Sequence, residues 1–281
     1  MESLEHVKRS QPYKPRAGSI GALVGRDHEA RLIQAAWMGG RDCLPLAPLL
    51  IGEPGMGKNR IIYELAESSG KNLYIFQGHE DVTAEDLACS VRIGQGGVQS
   101  IEYVLSALVT AMLEGGICFV DEIAKIRPRA LALLVSVLDE RRYIDSGLLG
   151  ERVYAHTAFR FVAATNSADL DRNSLPDFIE SRMRPTIEVG YPSSEEIERI
   201  IESRFPRLQA DLKPALDQFW IEWRRFSPDT PPTPRDGIQV FTLASSLADF
   251  DAAGSEGPAA VTPDHVAAAL TDLFRSLSFD R

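Results

Sequence analysis

One short stretch restricts this chain more than any other. Residues 49–59 read LLIGEPGMGKN, an apolar run, a glycine-rich turn and a lysine, and the helix-like run RIIYELAE follows. Gly52, Gly57 and Lys58 stand at the spacing GxxxxGK between an expected strand and an expected helix, the context of a phosphate-binding loop. The glycines let backbone N–H groups turn on to an anion, the lysine reaches the outer phosphates, and the helix adds the positive end of its dipole. The expected phosphate contacts are therefore Gly52, Glu53, Pro54, Gly55, Met56, Gly57, Lys58, Asn59 and Arg60. Such a loop normally closes on Ser or Thr, whose hydroxyl ligates magnesium. Here that position holds Asn59.

Composition narrows the setting. The 281 residues are 44% apolar and 25% charged, the proportions of a globular chain long enough for one large domain or two ordinary ones. Thirty basic against 40 acidic side chains leave a net charge of −10, and no long basic run occurs, which disfavours nonspecific nucleic-acid binding. Cys43, Cys89 and Cys118 are far apart and have neither a disulfide nor a zinc spacing. The opening MESLEHVKRSQPYKPR lacks the apolar core of a signal peptide, and no 18-residue apolar run is present. A soluble, cytoplasmic protein without a membrane anchor is expected.

Periodicity gives the order of elements. Residues 1–19 form a polar arm, expected to be extended or loose. Asp27 is expected to cap a helix that ends at Gly39-Gly40, and strands are expected over 48–51, 72–78, 117–122, 159–166 and 186–190. Helices are expected over 59–69, about 101–114 and 128–142, with a short one in SLPDFIESRM. Thr83 and Asp86 have capping-box spacing. Gly94–Gly97 are expected to be a flexible inserted loop, and YIDSGLLGERVYA a hairpin. Strands alternating with helices imply a parallel sheet covered on both faces. After Gly190 the strands stop, and helices are expected over 194–206, 213–226, 234–251 and 263–277. The expected division is an arm (1–19), an α/β domain (20–190) and a small all-helical domain (191–281).

Several polar residues stand where such a sheet would gather them. Asp121 and Glu122 close the apolar run ICFV, so one carboxylate can serve a magnesium water shell and the other can polarise a water aimed at a γ-phosphate. Asn166 ends FVAAT, and the strand C-termini of a parallel sheet share one crevice rim. Arg182 and Arg184 precede the last strand. An arginine donated to a neighbour's γ-phosphate is worth roughly 10³–10⁵ in rate, while an ion pair with Glu180 is the plainer alternative. Arg235 sits in the first turn of a helix, where a cation opposes the dipole.

Together GEPGMGKN, ICFVDE, AATN, ESR and TPRD resemble, in order and spacing, an AAA+ ATPase of the MoxR and dynein-related branch. VGRDHEARLI, EDVTAEDL, the run LEGGICFVDEIAKIRPRALALLVSVLDERR and the hairpin-like YIDSGLLGERVYAH resemble that branch too, so the likeness covers about residues 20–275. It implies a P-loop NTPase fold with a helical lid, ATP and Mg²⁺ as ligands, and a ring, usually a hexamer, that remodels a protein partner. In this branch the partner often carries a von Willebrand A domain. It implies Val24 and Gly25 near the adenine, Lys58 on the β- and γ-phosphates and Asp121 on the magnesium side. Glu122 would be the general base, Asn166 would sense the γ-phosphate, Arg182 would act in trans with Arg184 in reserve, and Arg235 would reach in from the lid. The inserted 83–100 would face the central pore. Asn59 departs from the pattern. Its amide oxygen is a possible but weakened magnesium ligand, so a nucleotide-gated scaffold with slow or no hydrolysis stands as the alternative. A GTP-using motor is less favoured, because Asn166-Ser-Ala-Asp169 lacks the lysine of a guanine-reading NKxD.

Overall fold

The structure, a computed structural model, describes residues 4, 7–15, 21, 23–39, 43–93, 101–208, 212–252 and 259–274. In chain order α1 (Asp27–Met38) leads to β1 (Leu49–Ile51), α2 (Lys58–Ser69), β2 (Leu73–Gln77), β3 (Cys89–Ile93), β4 (Ile101–Leu105), α3 (Ala107–Glu114) and β5 (Ile117–Asp121). Two short helices, α4 (Pro128–Leu131) and α5 (Val135–Leu138), precede β6 (Tyr143–Asp145) and β7 (Arg152–Tyr154). Then come β8 (Arg160–Thr165), α6 (Ser167–Arg172), α7 (Asp177–Glu180) and β9 (Thr186–Glu188). Helices α8 (Ser194–Arg204), α9 (Leu212–Phe226), α10 (Pro234–Asp251) and α11 (Pro263–Phe274) follow.

Five strands form one parallel sheet in the order β2-β5-β8-β1-β9. In β5 the side chains of Cys118 and Val120 join one apolar cluster with α3, while Ile117 and Phe119, of opposite parity, are equally inaccessible. Successive strand residues point to opposite faces, so both faces of the sheet are covered, as a parallel sheet requires. Full burial of each such side chain stabilises by about 1.5–3 kcal/mol, which makes β5 a rigid base for the acids at its end. Parallel pairing also sends the ends of β1, β5 and β8 to the same rim.

The chain divides into two compact units, one of Met1–Pro15, Arg26–Glu53 and Lys58–Val189, the other of Arg16–Gly25, Pro54–Gly57 and Gly190–Arg281. The second has its own core, in which Phe219, Trp223, Phe241 and Phe274 bring α9, α10 and α11 together. Its helix starts are chemically marked. Ser193 with Glu196 and Thr233 with Asp236 each form a reciprocal capping box, and Pro234 opens α10.

Four local expectations change. Residues 101–105 are a strand, paired antiparallel with β3, because Ile101, Tyr103 and Leu105 recur with period two. The Gly94–Gly97 loop lies outside the described residues. The helix expected over 128–142 is a series of short turns ending at Leu138. It stops there because the Asp139 carboxylate captures the Arg141 backbone N–H at 3.0 Å and its guanidinium at 2.7 Å. Thr83 and Asp86 bond reciprocally as a capping box does, yet they close an isolated turn, not a helix. Asp27 lies inside α1, with Arg26 at the cap. The described part of the arm is held down. Tyr13 N–H donates to the Leu73 carbonyl at 2.7 Å, and its ring stacks on Tyr63 at 4.7 Å.

Candidate functional site

β1 releases the chain into Gly52–Gly57, where Gly55 and Gly57 take φ of 92° and 90°. Those left-handed values suit glycine and let the backbone fold back on itself. Glu53 is half-buried, Pro54 exposed and Met56 buried. Lys58 opens α2 with its side chain turned back into the loop, only 7% exposed. Its ammonium donates to the carbonyls of Gly52 (2.7 Å) and Glu53 (3.1 Å) and to Asn166 Oδ1 (2.8 Å). An ammonium has three protons, and each has an acceptor here. Lysine and asparagine, 108 residues apart in sequence, are thus directly bonded.

Asn166 connects further. Its Nδ2 donates to both Glu122 carboxylate oxygens, at 2.9 and 3.1 Å, and to Asp169 at 3.2 Å. On its other side Glu122 meets the Lys125 ammonium at 2.7 Å. That bond is the main cause of a raised Lys125 pKa. Glu122 itself has left-handed backbone, φ 58°, an uncommon conformation for a residue other than glycine, found mostly where the surroundings fix it. Part of what fixes it is Gly78, just past β2. A Cβ there would fall 2.5 Å from the Glu122 carbonyl oxygen and 3.0 Å from that of Asp121. Any side chain at 78 would displace the acids.

Asp121 keeps different company. Its Oδ2 accepts from Asn59 Nδ2 at 2.8 Å, and its Oδ1 accepts the Glu122 backbone N–H at 3.0 Å. Tyr63, one turn on along α2, lies beside the Asn59 amide. Burial, and then the neighbouring Tyr13, push the Tyr63 pKa up to about 12, so this phenol stays protonated. The Asn59 amide is therefore bonded to a carboxylate with a phenol beside it.

Lys58, Asn59, Asp121, Glu122 and Asn166 come together in the first unit. Arg60, in the same helix, pairs with Glu64 at 2.9 Å. Arg182 and Arg184 are engaged on their own chain. Arg182 Nη1 donates to the Phe178 carbonyl at 2.8 Å with Nε 3.8 Å from Asp139, and Arg184 bonds Thr186 at 2.9 Å and lies 3.9 Å from Glu180. Within the second unit Val24 is buried and Gly25 has φ 70°. There too Gly55 faces α10, since a Cβ on it would lie 2.8 Å from Thr233 Oγ1 and 3.1 Å from Arg235 Cβ.

Sequence reasoning missed Lys125, Asp169, Gly78, Tyr63 and Tyr13. Lys125 and Asp169 carry the faint signal of lying three residues beyond a site residue, and Tyr63 that of lying four beyond one. Gly78 and Tyr13 carry none.

Residues 48–183 match the family model described as AAA domain (dynein-related subfamily). The denitrification regulatory protein NirQ of Stutzerimonas stutzeri is 31% identical over 178 residues, which cover 62% of this chain and 60% of NirQ. YojN of Bacillus subtilis is 29% identical over 157 residues, covering 56% of this chain and 51% of YojN. The chain thus spans 51–60% of the length of these curated relatives. Among solved structures, the Holliday junction branch migration motor RuvB of Thermotoga maritima superposes with a TM-score of 0.59 at 19% identity, covering 89% of this chain and 70% of RuvB. A RuvB point mutant gives 0.61, also at 19% identity, over 94% of this chain and 74% of that one. At such identity the likeness shows the fold, a P-loop NTPase sheet followed by helices.

Proposed function

Through residues 48–183 the chain belongs to the dynein-related subfamily of AAA domains, and on that premise we propose that it binds and hydrolyses ATP to act on a protein partner. The observation that carries this is the bonded series Lys58–Asn166–Glu122. It joins a phosphate-directed cation, a polar amide and a carboxylate base at the rim where the sheet's strands end. In this reading the loop Gly52–Asn59 wraps the phosphates with Lys58 on the outer ones, and Arg60 follows. Val24 and Gly25 flank the base, and Arg235, beside Gly55 in the second unit, reaches the phosphates from α10. A water oxygen attacks the γ-phosphorus, its proton passes to Glu122, and the bond to the β–γ bridging oxygen breaks, leaving ADP and phosphate. Arg182, with Arg184 in reserve, completes the site of a neighbouring copy in a ring, most simply a hexamer.

Magnesium usually accompanies ATP in this fold, and the donor set can be tested for it. The ion requires oxygen ligands in near-octahedral geometry. Asn59 turns an N–H donor, not an oxygen, toward Asp121. This arrangement does not fit magnesium ligation by Asn59. That mismatch favours a second reading, a nucleotide-gated scaffold that turns over slowly if at all.

The partner class is inferred from the family and from NirQ's description as a regulatory protein. A partner bearing a von Willebrand A domain is the specific form proposed. Nucleic acid is disfavoured by the net charge of −10. Among the described residues no helix is long and apolar enough to cross a membrane, and action in the cytoplasm is part of the proposal. Phosphate release by the purified chain, with light scattering in the presence and absence of ATP, tests the whole. Turnover with ATP-dependent assembly is expected. ATP binding without turnover selects the scaffold, and a monomer under every condition removes the role of Arg182 in trans.

A further inference from the structure

We infer that this chain binds ATP without contributing a ligand to magnesium, so that its affinity for ATP is indifferent to divalent cation. The inference rests on the nucleotide-binding reading above and concerns one side chain within it. At the position after Lys58, a hydroxyl would offer a lone pair to a cation while still donating its proton to a carboxylate. An amide divides those two capacities between separate atoms. In Asn59 the nitrogen is the atom turned to Asp121, at 2.8 Å, and an amide nitrogen has no lone pair to give a metal.

Three observations hold that orientation. Asp121 Oδ2 would meet Asn59 Oδ1, acceptor against acceptor, if the amide were reversed. The Tyr63 side chain, one helical turn away, lies beside the same amide, and its ring stacks on that of Tyr13 with centroids 4.7 Å apart. The remaining Asp121 oxygen takes the Glu122 backbone N–H at 3.0 Å, so that carboxylate is satisfied by neutral donors on both oxygens. Reversal of the amide becomes favourable only with a cation between the two oxygens, and that competing state is what the experiment must detect. A cation arriving on the phosphates of ATP would gain nothing further from this chain. Binding then depends on Lys58 and the loop N–H groups.

Calorimetric titration of the full chain with ATP, once in excess magnesium chloride and once in excess EDTA, decides the matter. The two dissociation constants should agree within about twofold. Asn59→Thr, or Asn59→Ser if the threonine variant melts early, should restore a preference for magnesium of about tenfold or more. A wild-type chain that itself binds about tenfold more tightly in magnesium overturns this inference and leaves the ATP-binding reading intact. A variant that folds, binds ATP and gains no preference also overturns it, since Asn59 would not be the cause. Absence of binding in both media defeats the nucleotide reading and this inference together.

Discussion

The two acids that end β5 are adjacent in sequence and have opposite surroundings. Glu122 is held by a full positive charge, Lys125 at 2.7 Å, and through Asn166 it is linked to the buried ammonium of Lys58. Among the described residues the Asp121 carboxylate accepts from neutral donors, the Asn59 amide and a backbone N–H. In the proposed function one side of the site moves a proton beside a phosphate, and the other carries a hydrogen-bonded amide where a phosphate loop normally has a hydroxyl. The two sides share a strand and a rim, so neither the fold nor burial accounts for the difference. It lies in the partners, Lys125 and Asn166 on Glu122 and Asn59 on Asp121.

The largest test of that contrast removes the base and leaves the rest of the site. Glu122→Gln keeps the size of the side chain, and the amide oxygen can still accept from Asn166 Nδ2, but it cannot take a proton. Hydrolysis should fall by about 10²–10⁴ while ATP affinity, measured by the same titration, stays within about twofold. An equal loss of affinity would mean that Glu122 serves binding, and the proposed division between the two acids would fail.

What the sequence made legible follows from how far each cause reaches along the chain. The strands of the sheet were readable because burial on both faces produces unbroken apolar runs such as ICFV, and the helix starts because Ser193 and Thr233 carry their caps within three residues. Lys58, Asp121, Glu122 and Asn166 were readable for a topological reason, since each terminates or follows a strand whose C-terminal end meets the common rim. The β3–β4 hairpin was misread because IEYVL is short and its inner neighbours come from elsewhere in the fold. Gly78 and Tyr13 escaped altogether. Gly78 matters through the carbonyl oxygens of Asp121 and Glu122, 43 and 44 residues further on, and Tyr13 through a ring 50 residues away, partners that exist only after the sheet has formed. Asn59 was the opposite case. Its identity was plain from the motif, yet whether its oxygen or its nitrogen faces Asp121 depends on a carboxylate 62 residues further on.

Lys125 sharpens the Glu122 half with a smaller effect. Its ammonium, 2.7 Å from Glu122, ties down the carboxylate that in the proposed mechanism must turn to the attacking water. Lys125→Met keeps an unbranched chain over the same surface and removes the charge. Phosphate release should rise by about tenfold, corresponding to about 1.4 kcal/mol in the barrier. A fall instead would show that Lys125 positions Glu122 more than it restrains it. The magnesium dependence of ATP binding should not change in either event, because Lys125 touches Glu122 and Asp169 but not Asn59.

The smallest effect belongs to the Asp121 half. Tyr63→Phe deletes one hydroxyl and preserves the ring against which Tyr13 stacks. The lost interaction with Asn59 is worth at most about 1.5 kcal/mol, so the melting temperature of the first unit should drop by only a few degrees, roughly 2–4 °C per kcal/mol in a domain of this size. Without the hydroxyl the amide loses one of the contacts that orient it, and reversal towards a cation becomes less costly. Tyr63→Phe should therefore acquire a slight magnesium preference in ATP binding, smaller than that of Asn59→Thr. A destabilised variant with no such preference would assign the orientation of Asn59 to Asp121 alone. A preference as large as that of Asn59→Thr would assign it to Tyr63, and through Tyr63 to the arm that covers it.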